Sequence, residues 1–282
     1  MNILNIIEEI EKVDGEIYER LSPRRAAMKD FFNIGKKVSM AAVPLALGSM
    51  FQKAYGQTAP SNVNEVLNFA LTLEYLEYHF YNHALEASGN LIATGTPARG
   101  AITTIRNHEL AHVELLKTAL GSAAGAPLAY TDFDFTAKGR FNAVFSDYQT
   151  FLAVAQAFED TGVRAYKGQA GVLKGMPVLT TALQIHSVEA RHAAHIRYMR
   201  SGGPAGGGLA IKPWVSLGTA GQANDSGVAQ VDAVYANEDV ETQTGVTITG
   251  IASGVTKAKA VESFDEPLSS ADVLAIAGLF LK

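Results

Sequence analysis

The chain of 282 residues contains no cysteine. That absence removes disulfides, thiolate metal sites, iron–sulfur clusters and thiol nucleophiles together, and it leaves oxygen and nitrogen as the ligand atoms. Excess basic charge is missing too: 23 Lys and Arg stand against 28 Asp and Glu, a net charge of −5. Nucleic acid is held by a clustered basic face that displaces counterions, so nucleic-acid partners are excluded. An uncharged, mostly apolar run from Val38 to Phe51 is too short, at about 1.5 Å per residue, to cross a ~30 Å bilayer, and no stable membrane span is expected. With 48% hydrophobic and 18% charged residues the composition is that of a globular protein, and the length suits one or two domains.

The two ends differ from the middle. Residues Met1 to Leu21 place Ile3, Ile6, Ile7, Ile10, Val13 and Ile17 near helical spacing, with five glutamates between them, and read as a short acidic amphipathic helix. Arg24-Arg25, a basic stretch through Lys37 and the run Val38 to Phe51 together resemble a twin-arginine export signal. The pattern departs from the usual one at Pro23 and Ala27, and in the length of the extension ahead of it. Export to the periplasm with cleavage near Gln57 is the expectation. The alternative is a cytoplasmic protein whose N-terminal helices pack on the domain or on a partner. At the other end, Ser201 to Gly208 is a helix stop and a flexible link. Beyond it, only Gly245 to Ile251 hints at extended structure, and Ser269 or Ser270 is suited to cap a last helix. The tail reads as a cover layer or as a contact between copies in a homo-oligomer. The division expected is thus 1–56 leader, 57–200 helical bundle and 201–282 linker and cover.

Between Ser61 and Arg200 the apolar periodicity is helical. Breakers divide it into four helices, at about Val63 to Ala87, Pro97 to Leu120, Gly139 to Tyr166 and Met176 to Met199. The first and third connections are short and favour antiparallel neighbours. Residues 121–138 hold Gly125, Pro127, Asp132 and Asp134, a loop long enough to cross over the bundle. The fold class expected is all-α, an antiparallel four-helix bundle with a long central crossover.

Six residues recur in one order. The first helix carries Glu74, and the second carries Glu109 and His112 as Glu-x-x-His. The third carries Glu159, its only glutamate, and the fourth repeats Glu-x-x-His as Glu189 and His192. Residues three apart lie about 60° apart around a helix and about 4.5 Å along it, so each Glu and His pair can reach one inward-facing ion. All four acids sit on apolar stripes: Glu74 with Leu67 and Leu71, Glu109 with Ile102 and Ile105, Glu159 with Leu152 and Ala155, Glu189 with Ala182 and Ile185. A buried carboxylate needs a counter-charge. Four carboxylates match two divalent cations, and the pattern points to a dinuclear site.

Other residues carry weaker signals. His79 and His83 face away from Glu74 and read as surface or packing residues. His108 is one step off phase. His186 and His195 flank the second motif as candidates for orienting or access roles, Glu77 is an alternative ligand, and Tyr78, Tyr81 and Tyr166 are candidate hydrogen-bond donors to the carboxylates.

The stretch Ser61 to Arg200 resembles the ferritin-like superfamily, with Glu74, Glu109, His112, Glu159, Glu189 and His192 on its six ligand positions. The upstream Arg-Arg and the tail sequence Phe264-Asp265-Glu266-Pro267-Leu268 are similar to those of bacterial ferritin-like proteins related to plant desiccation-associated proteins. The resemblance implies two iron or two manganese ions, with Glu109 and Glu189 bridging. It also implies a substrate among peroxide, dioxygen and ferrous iron, through ferroxidase, peroxidase or manganese-catalase-like activity. The other class it admits is a non-enzymatic, stress-protective protein in which the bundle is a scaffold and metal is structural or absent.

Overall fold

The computed structural model describes residues 62–86, 90–203 and 208–282. The N-terminal amphipathic helix, the export-like signal and its cleavage point lie outside the described residues.

Four long helices form the bundle: α1 (Val63–Glu86), α2 (Pro97–Leu120), α3 (Tyr148–Gln169) and α4 (Val178–Arg200). Their starts follow from local chemistry. The Asn62 side chain accepts the backbone N–H of Glu65 at the head of α1. Thr96 accepts that of Arg99, with Pro97 fitted to the first turn of α2. Asp147 accepts that of Thr150 at the head of α3. The Arg99 guanidinium donates back to Leu85 O and Ile92 O, closing the first hairpin.

α1 packs along α2 and α3 along α4 as two hairpins, which meet through α1 with α3 and α2 with α4. This is the expected bundle with its long connection. One boundary is corrected: α3 begins at Tyr148, not Gly139. Ala137, Lys138 and Gly139 take positive φ (50°, 58° and 86°), a conformation no helix continues through. Asp134 fixes that turn by accepting from Thr136 and Lys138. The crossover is also more than a loop. Phe133, Phe135, Phe141 and Val144 are buried, and Phe135 packs against Phe80 of α1 at 5.6 Å.

The tail covers the other side of the bundle. Short 3-10 turns at Ala229–Tyr235 and Ile248–Gly250 are joined by β1 (Thr242–Gln243) paired antiparallel with β2 (Val246–Thr247), then α5 (Lys257–Val261) and α6 (Ser270–Ala277). Ser269 is the cap of α6, accepting from Asp272 N–H. Val273, Ile276 and Ala277 are its buried side, and Leu274 is exposed. The tail lies so close to α3 that a Cβ on Gly168 would stand 2.0 Å from Leu268 O, and only glycine fits there. Phe280 meets Phe158 edge-on at 4.7 Å. With the tail on one side and α1 and α4 on the others, α3 is buried from Phe151 to Tyr166.

Buried arginines fasten this cover. Arg197 of α4 reaches Asp160 of α3 at 2.7 Å and Asp225 of the tail at 2.8 Å. Tyr235 of the tail donates to the same Asp160. Arg200 donates to Gln156 Oε1 and Ser226 O, and Arg164 pairs with Glu238 at 2.8 Å. Among the described residues no helix is long and apolar enough to cross a membrane.

Candidate metal centre

The structure brings Glu74, Glu109, His112, Glu159, Glu189 and His192 together in the middle of the bundle. All four carboxylates are completely buried, and the two imidazoles nearly so. The repeat explains the convergence: each hairpin sends in one Glu from its first helix and a Glu-x-x-His pair from its second.

The side chains divide into two overlapping groups, each with ligand-type atoms within 4.8 Å of one another. One consists of Glu74, Glu109, His112 and Glu189, the other of Glu109, Glu159, Glu189 and His192. Glu109 and Glu189 belong to both. His112 Nδ1 lies 3.1 Å from Glu74 Oε2, 3.1 Å from Glu109 Oε2 and 3.3 Å from Glu189 Oε1. His192 Nδ1 lies 2.8 Å from Glu109 Oε1 and 3.4 Å from Glu159 Oε2. Proximity here is not satisfaction. Glu109 Oε1, Glu159 Oε2, both oxygens of Glu189 and His192 Nδ1 are buried without a hydrogen-bond partner.

The terminal acids are held by tyrosines in a reciprocal arrangement. Tyr81, two turns beyond Glu74 on α1, donates to Glu159 on α3. Tyr166, two turns beyond Glu159, donates to Glu74. Tyr78 instead packs beside His79 at 5.0 Å. The hairpins thus repeat one another in sequence position and in partner, down to their hydrogen-bonding tyrosines.

Electrostatics record the crowding. Burial raises the Glu74 carboxyl to about 7, and burial joined by the neighbouring glutamates pushes Glu189 well above the carboxylate range. Burial would raise Glu109 as well, but the hydrogen bond from His112 and the charge of the nearby His192 imidazole outweigh it and hold the group at about 2. Burial works against the charged form of His192, yet Glu159 and Glu109 overcome it and lift the imidazole to about 11. His112 moves the same way, through Glu109, Glu189 and Glu74. As protein groups alone, the cluster is a set of acids whose charge two imidazoles cannot offset.

Glu77 belongs to neither group of ligand atoms. It is buried, and desolvation with the charges of Glu189 and Glu159 drives its pKa well up. Gly162 stands beside it and leaves room for Glu189: a Cβ there would be 2.9 Å from Glu189 Oε2, while Glu77 Oε1 at 3.4 Å would be in ordinary contact. His79 bonds Leu128 O at 2.9 Å and His83 stacks on Tyr130, so both are packing residues as expected. His186 bonds the backbone of Val163, and His195 is exposed beside Tyr198; neither takes part in the cluster.

His108 is the residue the periodicity passed over. Its Nδ1 lies 2.9 Å from His192 Nε2, with the rings nearly parallel. Residues one step off an inward stripe are set aside by a phase argument, although a long side chain at the seam of two helices reaches a ligand on the neighbouring one.

Residues 62–201 match the family model described as the ferritin-like domain. No curated protein and no solved structure matches the chain.

Proposed function

Residues 62–201 place the chain in the ferritin-like superfamily, and from that premise we propose that the cluster holds two iron or manganese ions and acts on peroxide, dioxygen or ferrous iron. The observation that carries the proposal is the set of buried, inward-facing atoms without hydrogen-bond partners: Glu109 Oε1, Glu159 Oε2, both Glu189 oxygens and His192 Nδ1. Buried polar atoms are ordinarily paired, and orphans cost on the order of 1–3 kcal/mol each. Carboxylate and imidazole together suit iron and manganese.

Glu74 and His112 would complete one position, Glu159 and His192 the other, and Glu109 and Glu189, members of both groups, would serve the two. Bound there, two redox ions would supply two-electron chemistry toward peroxide or dioxygen, with dioxygen or peroxide as the electron acceptor when ferrous iron is oxidised. The chain's own groups set the conditions. Tyr81 and Tyr166 fix the terminal carboxylates by donating to the oxygens turned away from the centre. Glu77, whose carboxyl is pushed well up by burial and the neighbouring glutamates, stands beside the ligand groups without belonging to either. The tail and crossover exclude water from the α1 and α3 side.

Metal analysis of protein expressed in medium supplemented with iron and manganese tests this. Two ions per chain are expected, and fewer than roughly one overturns the reading, since the dinuclear arrangement needs both positions filled. Peroxide consumption without added reductant then identifies catalase-type activity, and oxygen-dependent oxidation of ferrous iron identifies ferroxidase activity.

A further inference from the structure

The two hairpins repeat their acids, histidines and tyrosines but not the residue behind the histidine. Aligning Glu109 with Glu189 and His112 with His192 sets His108 opposite Val188. His108 is exposed on α2, and its Nδ1 meets Nε2 of the buried His192 on α4 at 2.9 Å. Val188 cannot hydrogen-bond, and the hydrogen bonds of His112 among the described residues all run through Nδ1, to Glu74 and Glu109. One histidine has its outer nitrogen anchored by protein; the other does not.

Resting on the dinuclear reading above, we propose that His108 is a positioning residue that holds His192 with Nδ1 turned inward, and that it makes the two metal positions unequal, the His192 position being the tighter. The proton arrangement follows from the geometry. An imidazole that offers Nδ1 to a cation carries its proton on Nε2. His192 Nε2–H therefore donates to His108 Nδ1, which leaves the His108 proton on its own Nε2, facing solvent. The contact fixes both the tautomer and the ring plane of His192 before any ion arrives, and partners of this kind are worth about 10–100-fold in metal affinity. His112 gains no such preorganisation.

Competition with a chelator for Mn2+, followed by the electron paramagnetic resonance of the released ion, tests the inference. Wild type should give up its two ions in separate steps. His108→Val, which makes the hairpins alike, should weaken the tighter step by about 10–100-fold and leave the weaker one in place. His108→Asn, whose Oδ1 can accept from His192 Nε2–H, should restore the separation. Helical circular dichroism verifies that each variant is folded. The inference is overturned if His108→Val leaves both steps unmoved or weakens both alike, or if His108→Asn behaves as His108→Val does. A wild-type chain that takes up no ion overturns the dinuclear reading itself, whatever the variants do.

Discussion

Two clusters of buried charge lie side by side on α3 and α4, and they are built on opposite terms. In one, Arg197 is shared by Asp160 and Asp225, and Tyr235 and Ser216 donate to the same acids. Each acid meets the guanidinium and a hydroxyl donor, and partners come from the bundle and the tail alike. In the other, beginning one residue earlier on α3 at Glu159, five buried glutamates face two histidines, and four of the carboxylate oxygens are orphaned. Burial of charge is therefore not what distinguishes a candidate metal centre in this protein. The distinction is that one cluster closes on itself and the other leaves carboxylate oxygens unpaired, which is the room the proposed cations would fill.

The comparison can be broken most sharply at the shared acids. Glu109→Gln should remove both ions, lowering affinity by well over 100-fold, because it takes a charge and a ligand oxygen from both groups. Glu159→Ala should cost one ion and leave the helices intact. Metal content and circular dichroism measure both, and a Glu159→Ala variant that still holds two ions would show that α3 contributes no ligand.

The closed cluster should fail differently. Arg197→Met strands Asp160 and Asp225 without their cation and should destabilise the fold by about 3–5 kcal/mol, the scale for breaking a buried pair. The folded fraction should still bind two ions, because Arg197 touches none of the six residues. Denaturant unfolding and metal analysis separate these effects. Loss of metal at unchanged stability would mean that the two clusters are one.

The smallest effect is in the pH dependence of stability. A folded-state carboxyl raised from 4.5 to about 7, as at Glu74, contributes stability that is present below about 4.5 and lost as pH rises through 7. Glu77 and Glu189 are raised in the same direction. Protein stripped by a chelator should therefore melt at progressively lower temperature from pH 4.5 to 7. Protein loaded with Mn2+ should gain over that range, because the ions compete with those protons. Stripped protein whose melting temperature is flat or rises across the window would count against the charge imbalance.

Much of the centre is legible in the amino-acid sequence. A Glu followed by Glu-x-x-His, given twice on amphipathic helices, can converge only if the helices turn their apolar faces inward, and that is what hydrophobic burial enforces. Helix α2 was legible to its ends because Pro97 and Gly121 mark them locally. The start of α3 was not, since residues 139–146 have a helix-compatible composition and the break depends on the backbone at Ala137 and Lys138. The tail gave almost no signal. Its order comes from arginines whose partners lie far away in sequence, such as Arg164 with Glu238, and no local pattern announces such pairs.

The sequence by itself determined the bundle, its crossover and which six residues converge, because periodicity and spacing are properties of single helices. Tertiary structure decided the rest: that Gly162 leaves room for Glu189, that Tyr81 and Tyr166 exchange partners across hairpins, and that His108 stands behind one histidine and nothing equivalent behind the other. Each of those is a contact between helices, set by how closely and at what rotation two elements pack, and that information resides in neither helix alone.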